Sequence, residues 1–403
     1  MRKGIRCDIC VGCGLCPGVT KDMQIVTAGR EQVKVNLQND GHIRYVTADV
    51  GTTTIAMQLH REDGSVEDSL VTVNPQVKYG ADVISRITAA EHREAAEDMC
   101  RMVREVLERG LAQFKKRLSG DESLSMVLTA NTTMVYLLMN RAVGELGRAP
   151  FAASHLEGLQ IELAGVSCYI FPGLSAFVGG DVTAGIYAGR MLEREQVTLL
   201  IDLGTNGEMV LGNRHKLLAC ATAAGPAFEG GVNRGIWGAD MVSLIARMRR
   251  EGLLSPEGEL AEPYFDTGVL VGNVRITQQA VRAIQLAKAA IATGITILMQ
   301  EYGCSMEEID EVILAGGFGY FLKAEDAAEI GLLPEKLVKK TVTGGNTALA
   351  GALWAACRIC SGEAFLKVTD IGERKEMDIK LINLAEYPEF ESRYIDALAL
   401  TRW

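Results

Sequence analysis

The chain has 403 residues, of which 48% are hydrophobic and 23% are charged, and these are ordinary values for a globular protein. A chain of this length buries enough surface to fold without disulfides. Its formal net charge of −10 offers no basic field to a phosphate backbone, so nucleic acid is not expected as a partner. No secretory signal and no bilayer-spanning apolar run is evident, so we expect a cytoplasmic protein without a membrane partner.

A Cys-rich segment, residues 1–43, precedes the body of the chain. Its four cysteines recur every third residue and the last is followed by proline: Cys7, Cys10, Cys13, Cys16 and Pro17. The bacterial ferredoxin run C-x₂-C-x₂-C-x₃-C-P has the same first three ligands and the same Cys-Pro ending, with a final gap one residue longer. The run therefore favours an iron–sulfur cluster, 4Fe–4S rather than 2Fe–2S. A zinc site, which usually separates its two Cys pairs further, and free thiols stay open as alternatives.

The body of the chain contains an internal duplication, which divides it into residues 44–196 and 197–403. Segments 45–57 and 199–211 both show a strand, a tight Gly turn and a second strand. Gly-Gly-Asp at 179–181 and Gly-Gly-Asn at 344–346 each open a helix of small residues. A buried strand that ends in a turn lies between the members of each pair. These matched features predict two halves of one α/β topology, facing each other across a cleft.

The two Asp-x-Gly-Thr turns have the chemistry of phosphate binding. A glycine turn lets backbone N–H groups approach an anion, and threonine hydroxyls add donors. Asp49 and Asp202, at the ends of the strands, can hold Mg²⁺ through water. Two such turns suit a polyphosphate that is held from both sides. The alternative is a pair of ordinary β-hairpins with a buried Asp.

Two further glycine turns follow in the second half. Residues 315–319, after an apolar strand, suit the approach of an adenosine to the backbone, and residues 223–231 form another glycine loop. Each alone is also consistent with a plain tight turn. The Walker pattern G-x-x-x-x-G-K-[ST] does not occur.

In this order the turns and connecting helices resemble the actin-like ATPase superfamily, which includes sugar kinases, heat-shock chaperones and actin. The resemblance covers residues 44–360. Denser stretches look like one branch, the reductive activators of corrinoid proteins: 74–87, 131–134, 171–181, 202–209, 222–230, 285–291 and 314–319. The resemblance implies an α/β fold of two ribonuclease-H-like halves after a short Cys-rich segment. It also implies an ATPase that donates an electron to the cob(II)amide form of a corrinoid methyl-transfer protein.

The same resemblance implies roles for individual residues. Asp49 and Asp202 would hold Mg²⁺, and Asp181 would orient the attacking water. The residues that would bind ATP lie in the four turns and one helix: Gly51, Thr52, Thr53, Thr54, Gly204, Thr205, Asn206, Gly225, Lys288, Gly316, Gly317 and Gly319. For Lys288, a lysine that lies along a helix edge with its charge in water is an equal alternative.

The Cys-rich segment is where the sequence departs from that family, whose members usually carry a ferredoxin-like domain and a further domain before the ATPase core. We nonetheless expect an electron carrier here, an upstream low-potential reductant and, if a cluster is shared between subunits, a homodimer. Two other functions of the same fold stay open. A small-molecule kinase has no use for the Cys run, and a nucleotide-dependent assembly factor or chaperone would show no redox signal.

Overall fold

The computed structural model describes residues 35–39, 42–204, 206–222, 238–271, 274–369, 371 and 378–403. Their strands are β1 Ile43–Val50, β2 Thr54–His60, β3 Val66–Val73, β4 Ser123–Ala130, β5 Leu159–Leu163, β6 Val166–Ile170, β7 Val197–Leu203, β8 Gly207–Gly212, β9 Lys216–Thr222, β10 Val269–Val271, β11 Val274–Ile276, β12 Ile309–Ala315, β13 Thr341–Gly345 and β14 Asp378–Ile382.

The helices alternate with these strands along the chain, as expected of an α/β protein. They are α1 Val83–Ala90, α2 Arg93–Lys115, α3 Thr132–Leu138, α4 Gly180–Ala188, α5 Gly238–Arg250, α6 Tyr264–Thr267, α7 Gln278–Tyr302, α8 Gly316–Gly319, α9 Ala324–Glu329, α10 Thr347–Cys360, α11 Phe365–Thr369 and α12 Phe390–Asp396. Short 3₁₀ turns complete the set at Pro75–Tyr79, Glu335–Lys340 and Leu384–Glu386.

The described residues form two compact units, and the first is built on a six-stranded sheet in the order β3-β2-β1-β4-β6-β5. Strands β1, β2 and β3 pair antiparallel, whereas β4 runs parallel to β1 and β6 runs parallel to β4. The apolar stripe of the amphipathic helix α2, which includes Met99, Val103 and Leu107, is buried in the same core as β1 and β4. This arrangement leaves the carboxyl ends of the parallel strands β1, β4 and β6 at one edge of the sheet.

The second unit repeats this topology. Its sheet has the order β13-β12-β7-β8-β9-β14, so that β9-β8-β7-β12-β13 corresponds to β3-β2-β1-β4-β6. The directions also agree, because β7, β8 and β9 pair antiparallel while β12 is parallel to β7 and β13 is parallel to β12. Strand β14 is an addition at the edge, parallel to β9. The predicted fold class, an α/β protein with duplicated ribonuclease-H-like sheets, is confirmed.

Helix α7 forms the centre of the second unit. Among the helices that the structure describes, it alone is long and apolar enough to cross a membrane. However, 78% of its apolar stretch of 18 residues is buried in the protein. It packs against β8, β9 and α12. Burial on that scale is typical of the core helix of a soluble protein.

Helix α10 belongs to the first unit, although in the chain it lies between β13 and β14, two strands of the second sheet. It packs on α4 and on strands β1 and β4. The two helices approach so closely at Gly351 that a Cβ atom there would lie 2.1 Å from the backbone oxygen of Ala184. This glycine is therefore required by packing, because the atom it would displace belongs to backbone that cannot rotate away. The boundaries 44–196 and 197–403 stay predictions.

We expect Gly351→Ala to lower the free energy of unfolding by about 1–3 kcal/mol, the usual cost of overpacking. Helix propensity alone would favour alanine by about 1 kcal/mol, so a destabilised variant shows that the close helix contact outweighs propensity. Urea unfolding followed by circular dichroism measures the change. Gly144→Ala is the control, since its Cβ would meet nothing within 4 Å, and it should unfold at the wild-type urea concentration. Equal stability of both variants would contradict the packing argument.

Candidate functional site

The first predicted phosphate turn is the connection between β1 and β2. The Gly51 N–H donates to the Thr54 carbonyl at 2.9 Å and closes a two-residue turn over Thr52 and Thr53. Thr52 is buried, and its hydroxyl accepts a hydrogen bond from Asn131 Nδ2 at 3.0 Å. Asn131 is also the N-cap of α3 and thus is fixed at the end of β4. The turn is held by residues from both neighbouring strands.

Two aspartates lie beside this turn. Asp49 occupies the penultimate position of β1, between Ala56 of β2 and Thr129 of β4, and Asp181 lies in the first turn of α4. The Asn346 side-chain amide donates to Asp49 Oδ2 at 2.8 Å. Asn346 is the N-cap of α10, so both connecting helices of the first unit begin next to the Asp49 carboxylate.

The environment of the two carboxylates raises their pKa values. Burial raises the pKa of Asp49 to about 7, the hydrogen bond from Asn346 opposes this rise, and the negative charge of Asp181 adds to it. Burial likewise raises the pKa of Asp181 to about 6, although both side chains keep part of their accessible surface. Two carboxylates placed close together in a poorly solvated site favour a bound cation or a shared proton. Oxygen donors of this kind suit Mg²⁺.

The second predicted turn begins at Asp202 in β7. Asp202 faces Glu208 of β8 across the hairpin and Ala315 of β12 on its other side. The Gly204 N–H donates to the Asn206 carbonyl at 2.9 Å. Two residues predicted to bind ATP, Thr205 and Gly225, lie outside the described residues.

The predicted adenosine turn is next to Asp202. Gly316 has φ +81°, a conformation that favours glycine, and a Cβ atom there would lie 2.6 Å from Asp202 Oδ1. Gly317 and Gly319 continue into the short helix α8. The structure thus brings this turn and the second Asp-x-Gly-Thr turn together within the second unit.

Lys288 lies in helix α7 of the second unit. Its side chain is buried, its Nζ donates to the Ala399 carbonyl, and burial lowers its pKa to about 8. It is therefore not a lysine whose charge lies in water at a helix edge. Its predicted place in the adenosine pocket stays a prediction.

The four cysteines of the predicted cluster, Cys7, Cys10, Cys13 and Cys16, lie outside the described residues. Within the part of the chain that the structure does describe, no group of three or more His, Cys, Asp or Glu side chains is arranged to hold a metal ion. Another C-x-x-C pair, Cys357 and Cys360, lies at the end of α10, where Cys360 Sγ donates to the Gln38 carbonyl at 3.1 Å.

Sequence reasoning gave no individual role to four residues that contact the first turn or its aspartate: Asn74, Arg86, Asn131 and Asn346. Asn74, Asn131 and Asn346 each come directly after a strand and cap the helix or 3₁₀ turn that follows, whereas Arg86 lies inside α1. Asn74, Arg86 and Asn131 lie in stretches that carried the family resemblance. For the three asparagines the available signal was a polar side chain directly after a strand, a position that places it at the carboxyl edge of the sheet.

Comparison with known proteins gives concordant results. Residues 45–194 match the family described as "RACo middle region", and residues 196–234 and 232–402 match "C-terminal domain of RACo the ASKHA domain". The corrinoid activation enzyme RamQ of Eubacterium limosum is 31% identical over an alignment of 376 residues, and the match covers 76% of this chain and 63% of that protein. The [Co(II) methylated amine-specific corrinoid protein] reductase of Methanosarcina barkeri is 26% identical over an alignment of 250 residues, and the match covers 50% of this chain and 46% of that protein.

The chain thus spans about half to two thirds of the length of these curated relatives. Among solved structures, a reductive activator for corrinoid,iron-sulfur protein superposes with a TM-score of 0.78 at 27% identity. That superposition covers 91% of this chain and 67% of the other. Since the family matches extend over nearly all of the chain from residue 45 onward, the chain belongs to the RACo family.

Proposed function

We propose that this protein is an ATP-dependent reductive activator, which supplies an electron to the cobalt(II) form of a corrinoid protein and so returns it to cobalt(I). Membership of the RACo family and the activities for which the two relatives are named support the proposal. The structural observation that carries it is the carboxylate pair Asp49 and Asp181 beside the glycine–threonine turn. A cytoplasmic location is part of the proposal.

The first unit supplies groups for ATP hydrolysis. The turn 51–54 would bind phosphate oxygens through its N–H and hydroxyl groups, and Asp49 would hold Mg²⁺ through water. Asp181 would orient the attacking water and accept its proton. The water oxygen forms a bond to the γ-phosphorus while the bond from that phosphorus to the β–γ bridging oxygen breaks, which yields ADP and phosphate. A pKa of about 6 suits Asp181 as a base near neutral pH.

Coupling to electron transfer can be expressed as free energy. A change that shifts a two-state equilibrium from 1:99 to 99:1 needs about 5.5 kcal/mol. Since about 1.4 kcal/mol corresponds to about 59 mV for one electron, this amount offsets roughly 230 mV. An iron–sulfur cluster held by Cys7, Cys10, Cys13 and Cys16 would supply the electron, and a low-potential reductant would replenish it. A homodimer that shares a cluster is part of this proposal.

The direct test uses a methylamine-specific corrinoid protein in its cobalt(II) state, a low-potential reductant and Mg-ATP under anaerobic conditions. Absorbance of the cobalt(II) form should fall only when the activator, the reductant and ATP are all present. A small-molecule kinase or an assembly factor of the same fold would hydrolyse ATP without changing that spectrum, so an unchanged spectrum would overturn the proposal.

For the ATPase step, we expect Asp181→Asn to lower kcat by about 10²-fold or more, the contribution typical of general base catalysis, with little change in ATP affinity. Asp49→Asn should instead weaken Mg-ATP binding, since it removes a ligand charge. Steady-state phosphate release and calorimetric titration separate the two effects. If both variants changed the same parameter, the separate roles of the two aspartates would be wrong.

The raised pKa of Asp181 also predicts a pH-dependent change in stability. A carboxyl group whose pKa is raised by folding contributes stability at low pH and loses it as the pH rises through the folded value of about 6. Without Mg²⁺, Asp181→Asn should therefore raise the melting temperature at pH 8, and the gain should vanish near pH 4. About 1 kcal/mol corresponds to a shift of about 2–4 °C in a domain of 150–250 residues.

Asp68→Asn provides the control of opposite sign for that experiment. Asp68 Oδ2 accepts a hydrogen bond from Arg117 Nε at 3.0 Å. Burial raises the pKa of Asp68, but the bonds from Arg117 and Gln113 outweigh it and leave the pKa below its usual value. Its substitution should lower the melting temperature at pH 8. A higher melting temperature for Asp68→Asn at pH 8, or a lower one for Asp181→Asn, would contradict the directions of the pKa shifts given for these two carboxylates.

We expect anaerobically purified protein to contain about four irons and four sulfides per chain if the Cys run holds a 4Fe–4S cluster. Changing Cys10 to Ser should remove most of this iron together with the electron paramagnetic resonance signal of the reduced sample. Cys304→Ser is the control, because Cys304 is a half-buried thiol of the second unit. Stoichiometric zinc in place of iron, or metal content that is unchanged in Cys10→Ser, would exclude the cluster.

A further inference from the structure

A fully buried polar network lies against the first phosphate turn. It is formed by Asn74, Gln76 and Arg86, whose exposed fractions are all 0%. Asn74 follows β3 and caps the 3₁₀ turn Pro75–Tyr79, and Arg86 lies in α1. Burying a guanidinium costs free energy unless its N–H donors form hydrogen bonds. The hydrogen-bond partners of Arg86 therefore indicate its structural role.

Three successive carbonyls of the turn accept hydrogen bonds from this network. Asn74 Nδ2 donates to the Gly51 carbonyl at 2.9 Å, and the Asn74 backbone N–H donates to the Thr53 carbonyl at 2.8 Å. Between them, Arg86 Nη2 donates to the Thr52 carbonyl at 2.5 Å. Every peptide group from residue 51 to residue 54 is thereby fixed at its oxygen.

The remaining contacts fix the network itself. Arg86 Nε donates to the Gly80 carbonyl at 3.0 Å, and Arg86 Nη1 donates to Gln76 Oε1 at 3.3 Å. Asn74 Oδ1 accepts from the Gln76 N–H at 3.0 Å, and Gln76 Nε2 reaches the Met99 carbonyl of α2 at 3.0 Å. The network is bonded to helix α2 on one side and to the turn on the other, so the side chains of Asn74 and Arg86 have little freedom to move.

Fixing the carbonyls also fixes the donors of the turn. In a planar trans peptide the C=O and N–H bonds point in opposite directions, and the peptides of residues 51–54 are trans. The N–H groups of Thr52, Thr53 and Thr54 therefore point away from Asn74 and Arg86. A carbonyl that accepts from a guanidinium is also polarised, which strengthens the N–H of the same peptide as a donor.

We propose that Asn74 and Arg86 are positioning residues of the phosphate turn, which aim its N–H groups at the phosphates and place a positive charge one peptide bond behind them. The inference rests on the proposed function, because it assumes that the turn binds the phosphates of ATP. Neither residue needs to touch the nucleotide. Their effect should therefore scale with the number of phosphates in the ligand rather than with its adenosine.

The test compares the binding of Mg-ATP and of AMP to the full chain by calorimetric titration. Arg86→Met should weaken ATP binding roughly tenfold or more, the effect of losing a hydrogen bond from a charged donor, with a much smaller change for AMP. Arg86→Lys keeps the charge and one donor and should restore part of the loss. Asn74→Asp keeps the shape and the Gln76 cap but loses the donor to Gly51, so it should also reduce the preference for ATP over AMP.

Arg44→Met is the matched control. Arg44 lies in the same strand as Asp49 but at its opposite end, where its Nη2 donates to the His60 carbonyl at 3.0 Å. Its substitution removes an arginine-to-carbonyl bond and should reduce stability without changing the ratio of ATP to AMP affinity. Melting temperatures of all variants show how much of each effect is general destabilisation.

The outcomes distinguish a failure of the proposed ATP-dependent function from a failure of the positioning role alone. If wild-type protein does not bind ATP, the proposed function fails and this inference fails with it. If wild-type protein binds ATP but Arg86→Lys and Asn74→Asp keep its ratio of ATP to AMP affinity, only the positioning role is overturned. Equal losses for ATP and AMP would also overturn it, since they would show a merely structural effect. Should Arg86→Met not fold, Arg86→Lys and Asn74→Asp decide the question.

Discussion

The site of the first unit depends on one electrostatic constraint, which is the placement of two carboxylates in a poorly solvated space at the end of a sheet. Asp49 and Asp181 disfavour each other's charge, and the Asn346 amide relieves only part of this cost. A divalent cation would satisfy both, and without it the pair holds protons at pH values where exposed carboxylates are ionised. The repulsion between these two carboxylates therefore lies at the candidate ligand site, and perturbed pKa values of this kind are common at functional sites.

The surrounding architecture can be understood as the support for that placement. Strands β1 and β4 run parallel, so their carboxyl ends meet at one edge, and both connecting helices of the first unit begin there. Buried polar side chains bond to the carbonyls of the turn, so its N–H groups point to the opposite side. Rigid elements thus hold every group of the site, and none depends on a long loop.

Much of this could be predicted from the sequence, for physical reasons that differ between elements. The duplicated sheets were visible because buried strands and glycine turns recur in the same order, and the helices at Gly180 and Thr347 were visible from their small-residue openings.

Contacts between residues distant in sequence could not be predicted. No local pattern indicates that the Asn74 amide bonds to Gly51, or that a buried arginine holds the Thr52 carbonyl, because such bonds depend on how separate elements pack. The unit to which α10 belongs could not be predicted either, since in the chain this helix lies between two strands of the second sheet. The residues that carry the cluster prediction, 7–16, lie outside the described part of the chain, so that prediction rests on spacing alone.

The position of α10 has a consequence for biosynthesis. Asp49 and its partner Asn346 are separated by 297 positions in the chain, so a ribosome that adds about 5–20 residues per second completes the pair only about 15–60 s after Asp49 is made. During that interval the nascent first sheet lacks the helix that covers β1 and β4, and its apolar face is open to chaperones or to the wrong partner. The protein can close its first unit only after nearly all of the second has been translated.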